Sequence, residues 1–383
     1  MEIRDLTEAD LDAVLDGRTR AFGPLSGSSA VVWRRLVQPF LAAGRYLGVF
    51  DGTRLVGTAR INPYTQWWHG RPVSMGGVAG VTVAPEDRGR GAGRRIMLAA
   101  LERAAELGHA VSALYPATTH PYRRLGWEHA GSQLLATIPA EGLRTIAPAE
   151  PVKLRRMGPD DAPEMMSVLA RVYAATRASG PIGHDEATSR LWLDDEDDFR
   201  YLADDGFVVY SWSGEDIQVE NLVAGSEATA RALWSLVGSH ATVAKRVKAA
   251  VTPDDPVFWL LADRKEDTLT QPRWMFRLVD VASALAARGY PAAVTMDAVL
   301  QVQDPQRPGN SGGWRLEVAS GSGTATRSDS PEGPSLAIGG LSALYAGIPT
   351  STLRRTGLLT GPTEKDEALD AAFAAKPYMI DYF

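Results

Sequence analysis

A glycine-rich segment between a strand and a helix is the feature that most constrains this chain. Residues 81–93 read VTVAPEDRGRGAG. Val81 and Val83 alternate with Thr82 as residues of a strand do, and Pro85 ends that strand. Three glycines follow, namely Gly89, Gly91 and Gly93. Glycine permits positive φ and lets another group approach the backbone closely. The segment therefore predicts a loop of accessible main chain at the start of a helix.

The start of a helix is suited to anions. Its first backbone N–H groups have no intrahelical partner, and the helix dipole leaves partial positive charge there. The helix predicted after the loop is amphipathic, and Gly108 is a natural end for it. Four arginines around the loop add fixed positive charge suited to phosphate oxygens: Arg88, Arg90, Arg94 and Arg95. We therefore expect a polyphosphate ligand.

Two common phosphate loops do not fit this segment. A nucleotide-triphosphate loop needs Lys-Ser/Thr after its glycines, but Arg94 and Arg95 follow Gly93. The dinucleotide pattern needs a third glycine where Arg94 stands. The pattern that remains is Arg88-x-x-Gly91-x-Gly93, and it resembles the pyrophosphate loop of the GNAT acyl-CoA-dependent N-acetyltransferases.

Composition excludes several other classes. The 383 residues include no cysteine, which excludes disulfides, thiolate zinc sites and a cysteine nucleophile, and the six histidines lack metal-ligand spacing. We therefore expect no metal. A net charge of −6 argues against nucleic-acid binding and is compatible with cationic substrates. The charged N-terminus, and apolar runs well short of the ~20 residues of a membrane span, predict a soluble, cytoplasmic protein with no membrane partner.

The first part of the chain is repeated. The opening IRDLTEADLDAVLDGRTRAFG has a counterpart, LRRMGPDDAPEMMSVLARVYA, at a constant offset from Leu154. The two hairpin-like stretches 44–61 and 199–219 follow in the same order. The second copy lacks the loop, because VAGSEATARALWSLVGSH after the strand near Ile217–Leu222 contains no Arg-x-x-Gly-x-Gly. We assign that copy a structural role.

The composition and periodicity of the sequence change beyond about Val279. VDVASALAARGY, LSALYAGI and ALDAAFAA have helical spacing, whereas AVLQV and WRLEV alternate as strands do, and GSGTATRSDSPEGP is predicted to be a loop or hairpin turn. This part is predicted to be a third, α+β domain. Its order of elements and its phrases VDVASALAARGY and LSALYAGIPTSTLRRTG resemble the sterol-carrier-like fold.

Over essentially its whole length the chain resembles the Eis family of GNAT N-acetyltransferases. GVTVAPEDRGRGAGRRIM, PYRRLGW and the final YF are the most specific pieces. The resemblance implies α/β and α+β domains, namely tandem GNAT folds, the second degenerate, followed by a sterol-carrier-like domain. We expect a catalytic GNAT domain at 1–135, a degenerate GNAT domain at 136–280 and the sterol-carrier-like domain at 281–383.

The same resemblance implies an acetyl-CoA-dependent transfer to primary amines, such as those of aminoglycosides or lysine side chains, within a ternary complex. Strand amides would face the thioester, and the loop would hold the pyrophosphate. The residues expected to contact the cofactor are Val81, Thr82, Val83, Arg88, Gly89, Arg90, Gly91, Ala92, Gly93, Arg94, Ala117 and Thr118.

Two groups would move protons in such a reaction. Tyr122, in PYRRLGW, matches the family's general acid toward the CoA thiolate, and its pKa near ~10 keeps the phenol protonated at neutral pH. Tyr115 is a local rival that we interpret as strand packing. The family uses the terminal carboxylate as the proton acceptor, here that of Phe383, with Tyr378 and Tyr382 as aromatic anchors.

Phe22 and Trp33 are candidates for an aromatic wall of the amine pocket, and core packing is the alternative interpretation. Some family members carry an acidic residue after the first helix, where Pro24 and Ser26 stand here, so substrate choice can differ. The resemblance also implies a homo-oligomer, a hexamer. The competing interpretation is a lipid-binding or scaffold protein that uses the last domain and carries vestigial GNAT units.

Overall fold

The computed structural model describes residues 1–25 and 27–383, so the predicted position Ser26 lies outside the described residues. The first unit begins with a strand and two helices that cover one side of a sheet. Its strands are β1 (Glu2–Asp5), β2 (Tyr46–Asp51), β3 (Arg54–Trp68), β4 (Arg71–Val83), β5 (Val111–Leu114), β6 (Glu128–Ser132) and β7 (Leu134–Pro139). Its helices are α1 (Leu11–Phe22), α2 (Gly27–Ala42), α3 (Ala92–Glu106), α4 (His120–Arg123) and α5 (Ala140–Leu143).

The second unit repeats that order, as the duplication predicts. Its strands are β8 (Arg155–Arg156), β9 (Ile182–Gly183), β10 (Phe199–Ala203), β11 (Gly206–Ser213), β12 (Asp216–Ala224), β13 (Arg246–Val251), β14 (Thr268–Thr270) and β15 (Arg273–Leu278). Its helices are α6 (Ala162–Ala175), α7 (Glu186–Trp192), α8 (Glu227–Gly238) and α9 (Val257–Leu260). The buried residues of α8 include Ala230, Leu233, Trp234 and Val237, the face that the sequence pattern indicates.

The two units exchange strands. The first sheet has the order β1-β2-β3-β4-β5-β15-β6, with β9 added beside β3, so β15 from the second unit lies between two strands of the first. The second sheet has the order β14-β7-β13-β12-β11-β10-β8 and takes β7 from the first unit. The sheets therefore interlock, and the domain limits at 135 and 280 remain predictions.

The third unit is an α+β domain around a five-stranded sheet of order β18-β17-β16-β19-β20. Its strands are β16 (Met296–Gln303), β17 (Gly312–Ala319), β18 (Ser322–Ser328), β19 (Ser335–Ala337) and β20 (Leu359–Thr360). Its helices are α10 (Val281–Ala287), α11 (Ile338–Tyr345), α12 (Thr350–Arg355) and α13 (Asp366–Phe373). The stretch GSGTATRSDSPEGP is more than a turn region, because β18 lies within it and pairs with β17. A short alternating run with small residues gives little strand signal in the sequence.

A buried ion pair joins the third unit to the first sheet. Arg277 of β15 and Asp304, just after β16, are both almost fully buried, and one guanidinium nitrogen lies 2.8 Å from each carboxylate oxygen. Asn310 donates a further hydrogen bond to Asp304. Burying both charges costs desolvation free energy, and such a pair is stable only when its geometry is good. It therefore constrains how the third unit packs against the first sheet. None of the helices formed by residues 1–25 and 27–383 is long and apolar enough to cross a bilayer.

Candidate active site

The first sheet opens into a cleft between two parallel strands. β4 pairs with β5 only from Met75 to Gly77, whereas its partner on the other side, β3, follows it as far as Val83. A register shift in the β3–β4 pairing lies near Gly80, whose φ is 59°. Within the described ranges 1–25 and 27–383, the backbone edge of β4 beyond Gly77 therefore has no strand partner on the β5 side.

The glycine loop lies at the open end of that cleft. Gly91 is the N-cap of α3 in the left-handed conformation, with φ 86°, and Gly89 has φ 79°. A Cβ added at either glycine would meet nothing within 4 Å. Among the described residues the amides of Gly89, Gly91 and Gly93 have no hydrogen-bond acceptor, and no side chain caps the helix. These are the free donors that an anion requires.

The arginines of the loop divide into two groups. Arg90 lies 2.6 Å from buried Asp87 and 3.1 Å from Asp51, so it is part of an ion-pair network. Arg54 also contacts Asp87 at 2.6 Å, and these hydrogen bonds hold the pKa of the Asp87 carboxyl below its usual range. The network fixes the turn that precedes the glycines. Arg90 thus has a structural partner already, which its place in the sequence did not indicate.

Arg88, Arg94 and Arg95 lie outside this ion-pair network. Arg88 and Arg94 are exposed and make no ion pair with any residue in the described parts of the chain. Arg95 donates to the carbonyl oxygen of Met1 at 3.3 Å. Arg88 and Arg94 therefore remain available to phosphate oxygens.

The remaining predicted cofactor contacts lie along the cleft. The side chain of Thr82 is buried and shares a 2.8 Å hydrogen bond with Thr58, so only its backbone can face a ligand. Val81 and Val83 are partly buried against the core of the first unit, and Ala92 is buried in the first turn of α3. Ala117 and Thr118 are exposed in the loop between β5 and α4.

The PYRRLGW segment fixes Tyr122 beside that core. The carbonyl oxygen of Tyr122 accepts hydrogen bonds from the amides of Leu125 and Trp127, both of which are buried. Gly126 has φ 89°, and a Cβ there would overlap the Arg277 guanidinium. The Tyr122 ring packs against the same core cluster as Val81 and Val83, and its hydroxyl has no hydrogen-bonding partner among the described residues.

Burial raises the pKa of the Tyr122 phenol, so the hydroxyl is protonated at neutral pH. A half-buried phenol that keeps its proton and makes no internal hydrogen bond can donate to a ligand. This is the state that a general acid needs before it acts.

The last residues of the chain run between the two units. The amide of Tyr378 donates to the carbonyl of Ser179 at 3.0 Å, and the amide of Met379 donates to that of Ser132 at 3.2 Å. The Gln133 side chain donates to the carbonyl of Ile380. Because both units bind it, this segment delivers the final three residues to one place.

Aromatic rings hold the end of the chain where the cleft begins. The Phe383 ring centroid lies 4.9 Å from that of Tyr64 and 5.7 Å from that of Tyr115. Tyr382 lies 4.3 Å from Tyr115 by the same measure but is largely exposed. A Cβ at Gly77 would lie 2.6 Å from Tyr64 and 2.9 Å from Phe383, so only glycine leaves room for both rings.

Tyr115 has a polar contact that its interpretation as strand packing did not include. Its hydroxyl donates to the carbonyl oxygen of Asp381 at 3.0 Å. The Asp381 carboxylate in turn lies 3.2 Å from Nε2 of His184. Burial lowers the pKa of His184, but the hydrogen bond that its ring donates to Asp381 and the negative charge of that carboxylate raise it more, so the pKa lies above its ordinary value.

A cavity of about 160 Å³ adjoins Asp381. Trp67, Trp192 and Phe207 form aromatic walls, and the Oδ1 atom of buried Asn221 has no donor among the described residues. A carboxylate, an unpaired amide oxygen and aromatic faces are the groups that bind an ammonium.

The two predicted pocket aromatics lie elsewhere, on the first helices. Trp33 is half-buried and packs against the cluster that includes Val37 and Tyr46, which is the packing alternative. Phe22 is 54 % exposed at the end of α1. The structure places neither of them against Tyr122 or Phe383.

Several residues of the site were missed by sequence reasoning. Tyr64, Gly77, His184 and Asp381 lie in four different stretches, and only the fold brings them together. Gly77, within an apolar strand pattern, was the one usable signal, because an interior strand glycine often marks close approach of another group.

Comparisons with known proteins support the division into three parts. The family described as Acetyltransferase (GNAT) domain matches residues 2–130, and a second family with the same description matches residues 181–278. The Sterol carrier protein domain matches residues 281–380. The predicted tandem GNAT folds followed by a sterol-carrier-like domain are therefore confirmed.

Proteins that match this chain over most of its length support the same assignment. A GCN5-related N-acetyltransferase from Kribbella flavida is 46 % identical, with a TM-score of 0.96 over 100 % of this chain and 98 % of that chain. An uncharacterised N-acetyltransferase from Streptomyces avermitilis is 27 % identical over 90 % of each chain. Eis1 from Mycobacterium abscessus, at 24 % identity, shares the fold with a TM-score of 0.78 over the whole of both chains. The chain therefore belongs to the GCN5-related N-acetyltransferases and has the Eis-like fold.

Proposed function

We propose that this acetyltransferase moves the acetyl group of acetyl-CoA directly to a primary amine in a ternary complex, at the cleft between β4 and β5. The observation that carries the proposal is the set of unpaired amides at Gly89, Gly91 and Gly93. They stand at the helix start beside the open edge of β4. No covalent acyl-enzyme is required, and the chain has no cysteine to form a thioester.

In this proposal the loop holds the pyrophosphate of CoA. The three glycine amides and the start of α3 supply hydrogen bonds and partial positive charge, and Arg88 and Arg94 supply full charges. The free edge of β4 from Val81 to Val83 offers amides to the pantetheine arm and the thioester carbonyl. Ala92, Ala117 and Thr118 are proposed to line the sides of the CoA site. Arg90 is proposed to stabilise the turn that precedes the glycines and not to contact the cofactor directly.

Tyr122 is proposed as the general acid. The amine nitrogen bonds to the thioester carbon as the carbon–sulfur bond breaks, and the phenol donates its proton to the departing sulfur. The protonated phenol required for this step is favoured by the burial that raises its pKa. Tyr122 regains a proton from the nitrogen, which is acidic once it carries the acyl group.

The terminal carboxylate of Phe383 is proposed as the acceptor of the other proton, which the ammonium must lose before it attacks. A free α-carboxyl has a pKa of ~3.3–3.7 and is therefore anionic at neutral pH. The rings of Tyr64 and Tyr115 hold Phe383 at the start of the cleft. Transfer through a water molecule would serve, because such a step needs only hydrogen-bond reach.

The acceptor is proposed to be an amine that carries more than one positive charge, as aminoglycosides and lysine-rich segments do. Asp381 and Asn221 line the aromatic cavity next to the terminal segment, and Asp381 supplies a carboxylate there. A second ammonium there would be held by charge and by ring faces. Phe22 and Trp33 are retained as candidates for the outer wall of the pocket.

A hexamer and a cytoplasmic location are proposed on the family resemblance. Exposed apolar residues of α2 are compatible with an assembly, since Val31, Val32 and Leu36 are 68 %, 55 % and 47 % exposed. A contiguous apolar helix face of this kind is typical of a protein contact. Light scattering of the purified chain will measure the number of subunits.

The proposal is tested by following thiol release from acetyl-CoA with spermidine, an aminoglycoside, a lysine peptide and butylamine as acceptors. We expect turnover with the polycations at a higher kcat/KM than with butylamine, and intersecting initial-rate lines. Parallel lines would indicate an acyl-enzyme instead of a ternary complex. Stabilisation by lipid with no response to acetyl-CoA would support the competing lipid-binding function.

A further inference from the structure

One short strand of the second unit lies beside the first sheet. Residues 54–60 of β3 pair with β2 and residues 65–66 pair with β9, while β4 follows the other edge of β3. β9 ends at Gly183, and His184 follows it directly. The second unit therefore places a histidine at the edge of the sheet that carries the cofactor cleft.

His184 contacts the end of the chain. Its Nε2 atom lies 3.2 Å from Oδ1 of Asp381, and the ring nitrogen is the donor because an ionised carboxylate only accepts. The His184 ring also meets the Tyr64 ring edge-on, with centroids 5.1 Å apart, and the Tyr64 ring lies 4.9 Å from that of Phe383. His184 thus contacts the terminal segment directly at Asp381 and through Tyr64 at Phe383.

Asp381 is held by both units. The Tyr115 hydroxyl of the first unit donates to its backbone carbonyl at 3.0 Å, whereas His184 of the second unit donates to its side chain. Phe383, two residues further on, carries the terminal carboxylate, and Tyr382 between them is 68 % exposed. A chain end frays unless it is tied down. The hold on Asp381, together with the ring contacts of Phe383, therefore limits the motion of that carboxylate.

The pair formed by His184 and Asp381 is partly buried. The two side chains are 30 % and 22 % exposed, so solvent and salt screen the pair less than they screen one on an open surface. The Nδ1 atom of His184 is buried and has no hydrogen-bonding partner among the described residues. The hydrogen bond to Asp381 therefore orients the ring, and the ring in turn fixes the carboxylate of Asp381.

A second role for the same pair has to be separated from this one. His184 and Asp381 both line the aromatic cavity in which a second ammonium of the acceptor is proposed to bind. Removing His184 would then disturb amine binding as well. Butylamine carries one charge and places no second ammonium in the cavity, so its turnover reports the position of the terminal carboxylate alone.

We propose that His184 is a positioning residue for acetyl transfer, which holds Asp381 so that the carboxylate of Phe383 stays within reach of the amine in the first cleft. The inference rests on the proposed function, in which that carboxylate accepts the proton of the ammonium. His184 itself takes no proton from the amine. The second GNAT unit thereby contributes a side chain to the reaction of the first, in addition to its structural role.

A double-mutant cycle tests the inference by combining His184→Phe with a chain extended by Gly-Ser-Gly-Ser after Phe383. Phenylalanine keeps a ring against Tyr64 and removes the hydrogen bond to Asp381. We expect His184→Phe to lower kcat about tenfold with spermidine and butylamine alike and to leave KM for acetyl-CoA unchanged, because a misplaced reacting group slows the chemical step. In the extended chain, whose carboxylate is already displaced, the same change should lower kcat less than about twofold.

Two further variants serve as controls. His184→Gln retains an N–H donor near the position of Nε2, so kcat should stay within about threefold of wild type. His240→Phe removes a histidine whose Nε2 lies 2.9 Å from the Tyr210 hydroxyl in the second unit, and it should leave kcat unchanged.

Three outcomes would overturn the inference. An unchanged kcat in His184→Phe would show that the terminal segment keeps its position without the histidine. A loss confined to spermidine would assign His184 to the amine cavity, and an equal loss in the unextended and extended chains would show that it does not act through the carboxylate. Full activity of the extended chain would instead reject the proposed proton acceptor itself, and this inference with it.

Discussion

The two GNAT units share one architecture but differ at the start of the helix that follows the split strand. In the first unit, Gly91 is the N-cap of α3, no side chain caps the helix among the described residues, and the amides of the loop glycines are free. In the second unit, Ser226 is the N-cap of α8, its hydroxyl accepts a hydrogen bond from the amide of Thr229, and the carboxylates of Asp205 and Glu227 lie nearby. Both units keep the split between parallel strands. The fold thus supplies a cleft in each, but only the first offers its helix start to an anion.

This difference shows that a unit can keep the cleft between its parallel strands without keeping a phosphate site. A split sheet needs only that two parallel strands part, and they do so in both units. A phosphate site needs unpaired donors, and a serine cap satisfies one of them within the chain itself. Loss of the glycines therefore changes the ligand that the cleft can bind while the fold is kept.

The largest effect is expected from Tyr122→Phe. Removal of a general acid lowers kcat by about a hundredfold or more, with little change in CoA affinity. Tyr210→Phe is the matched control, since that hydroxyl contacts His240 in the second unit. Turnover and calorimetry of both variants check this. An unchanged kcat in Tyr122→Phe would assign the acid elsewhere.

Extending the chain beyond Phe383 is expected to lower kcat by nearly as much. Adding Gly-Ser-Gly-Ser moves the carboxylate away from the rings of Tyr64 and Tyr115, so kcat should fall by about tenfold to a hundredfold. The same four residues inserted at the exposed turn 195–197 of the second unit should leave kcat and Tm near wild type. Full activity of the extended chain would reject the carboxylate as proton acceptor.

Gly91→Val should weaken CoA binding about tenfold to a hundredfold, because the left-handed backbone strains a β-branched residue by about 1–3 kcal/mol and the loop amides move. Ser226→Ala removes the cap of the second unit and should cost about 1 kcal/mol of stability with no change in CoA affinity. Calorimetry and denaturant unfolding measure the two quantities. Equal loss of CoA binding in both variants would contradict the assignment of the cofactor to the first cleft.

The smallest expected effect is a pH-dependent change in Tm when His184 is replaced. The pKa of His184 is raised in the folded chain, where Tyr64, Asp185 and Asp381 surround the ring. Its stabilising contribution is therefore complete below the unfolded value of about 6.5 and is lost as pH rises through the folded pKa. His184→Gln should lower Tm by about 1–2 °C at pH 5.5 and less at pH 8.5. A larger difference at high pH would reverse the inferred sign.

Much of the fold could be predicted because its signals are local. The glycine loop between a strand and a helix, the amphipathic helix that ends near Gly108 and the repeat from Leu154 depend on short stretches of sequence. The exchange of β7 and β15 could not be predicted, because either strand satisfies its hydrogen bonds in either sheet and no local pattern records the choice.

The site was predicted less completely. The sequence predicts roles for the loop and for Tyr122, since each lies in a dense motif, and these roles stay predictions. It did not show that Asp87 engages Arg90, or that Tyr115 binds the terminal segment, because both contacts depend on tertiary packing. The aromatic cavity combines residues of both units with Asp381 and has no motif at all.

The number of CoA molecules bound per chain tests the difference between the clefts most directly. Calorimetric titration of the wild-type protein should give one CoA per chain, and that site should be weakened in Gly91→Val and retained in Ser226→Ala. No binding heat, or two CoA per chain with one site indifferent to Gly91, would contradict the claim that the open helix start of the first unit holds the cofactor.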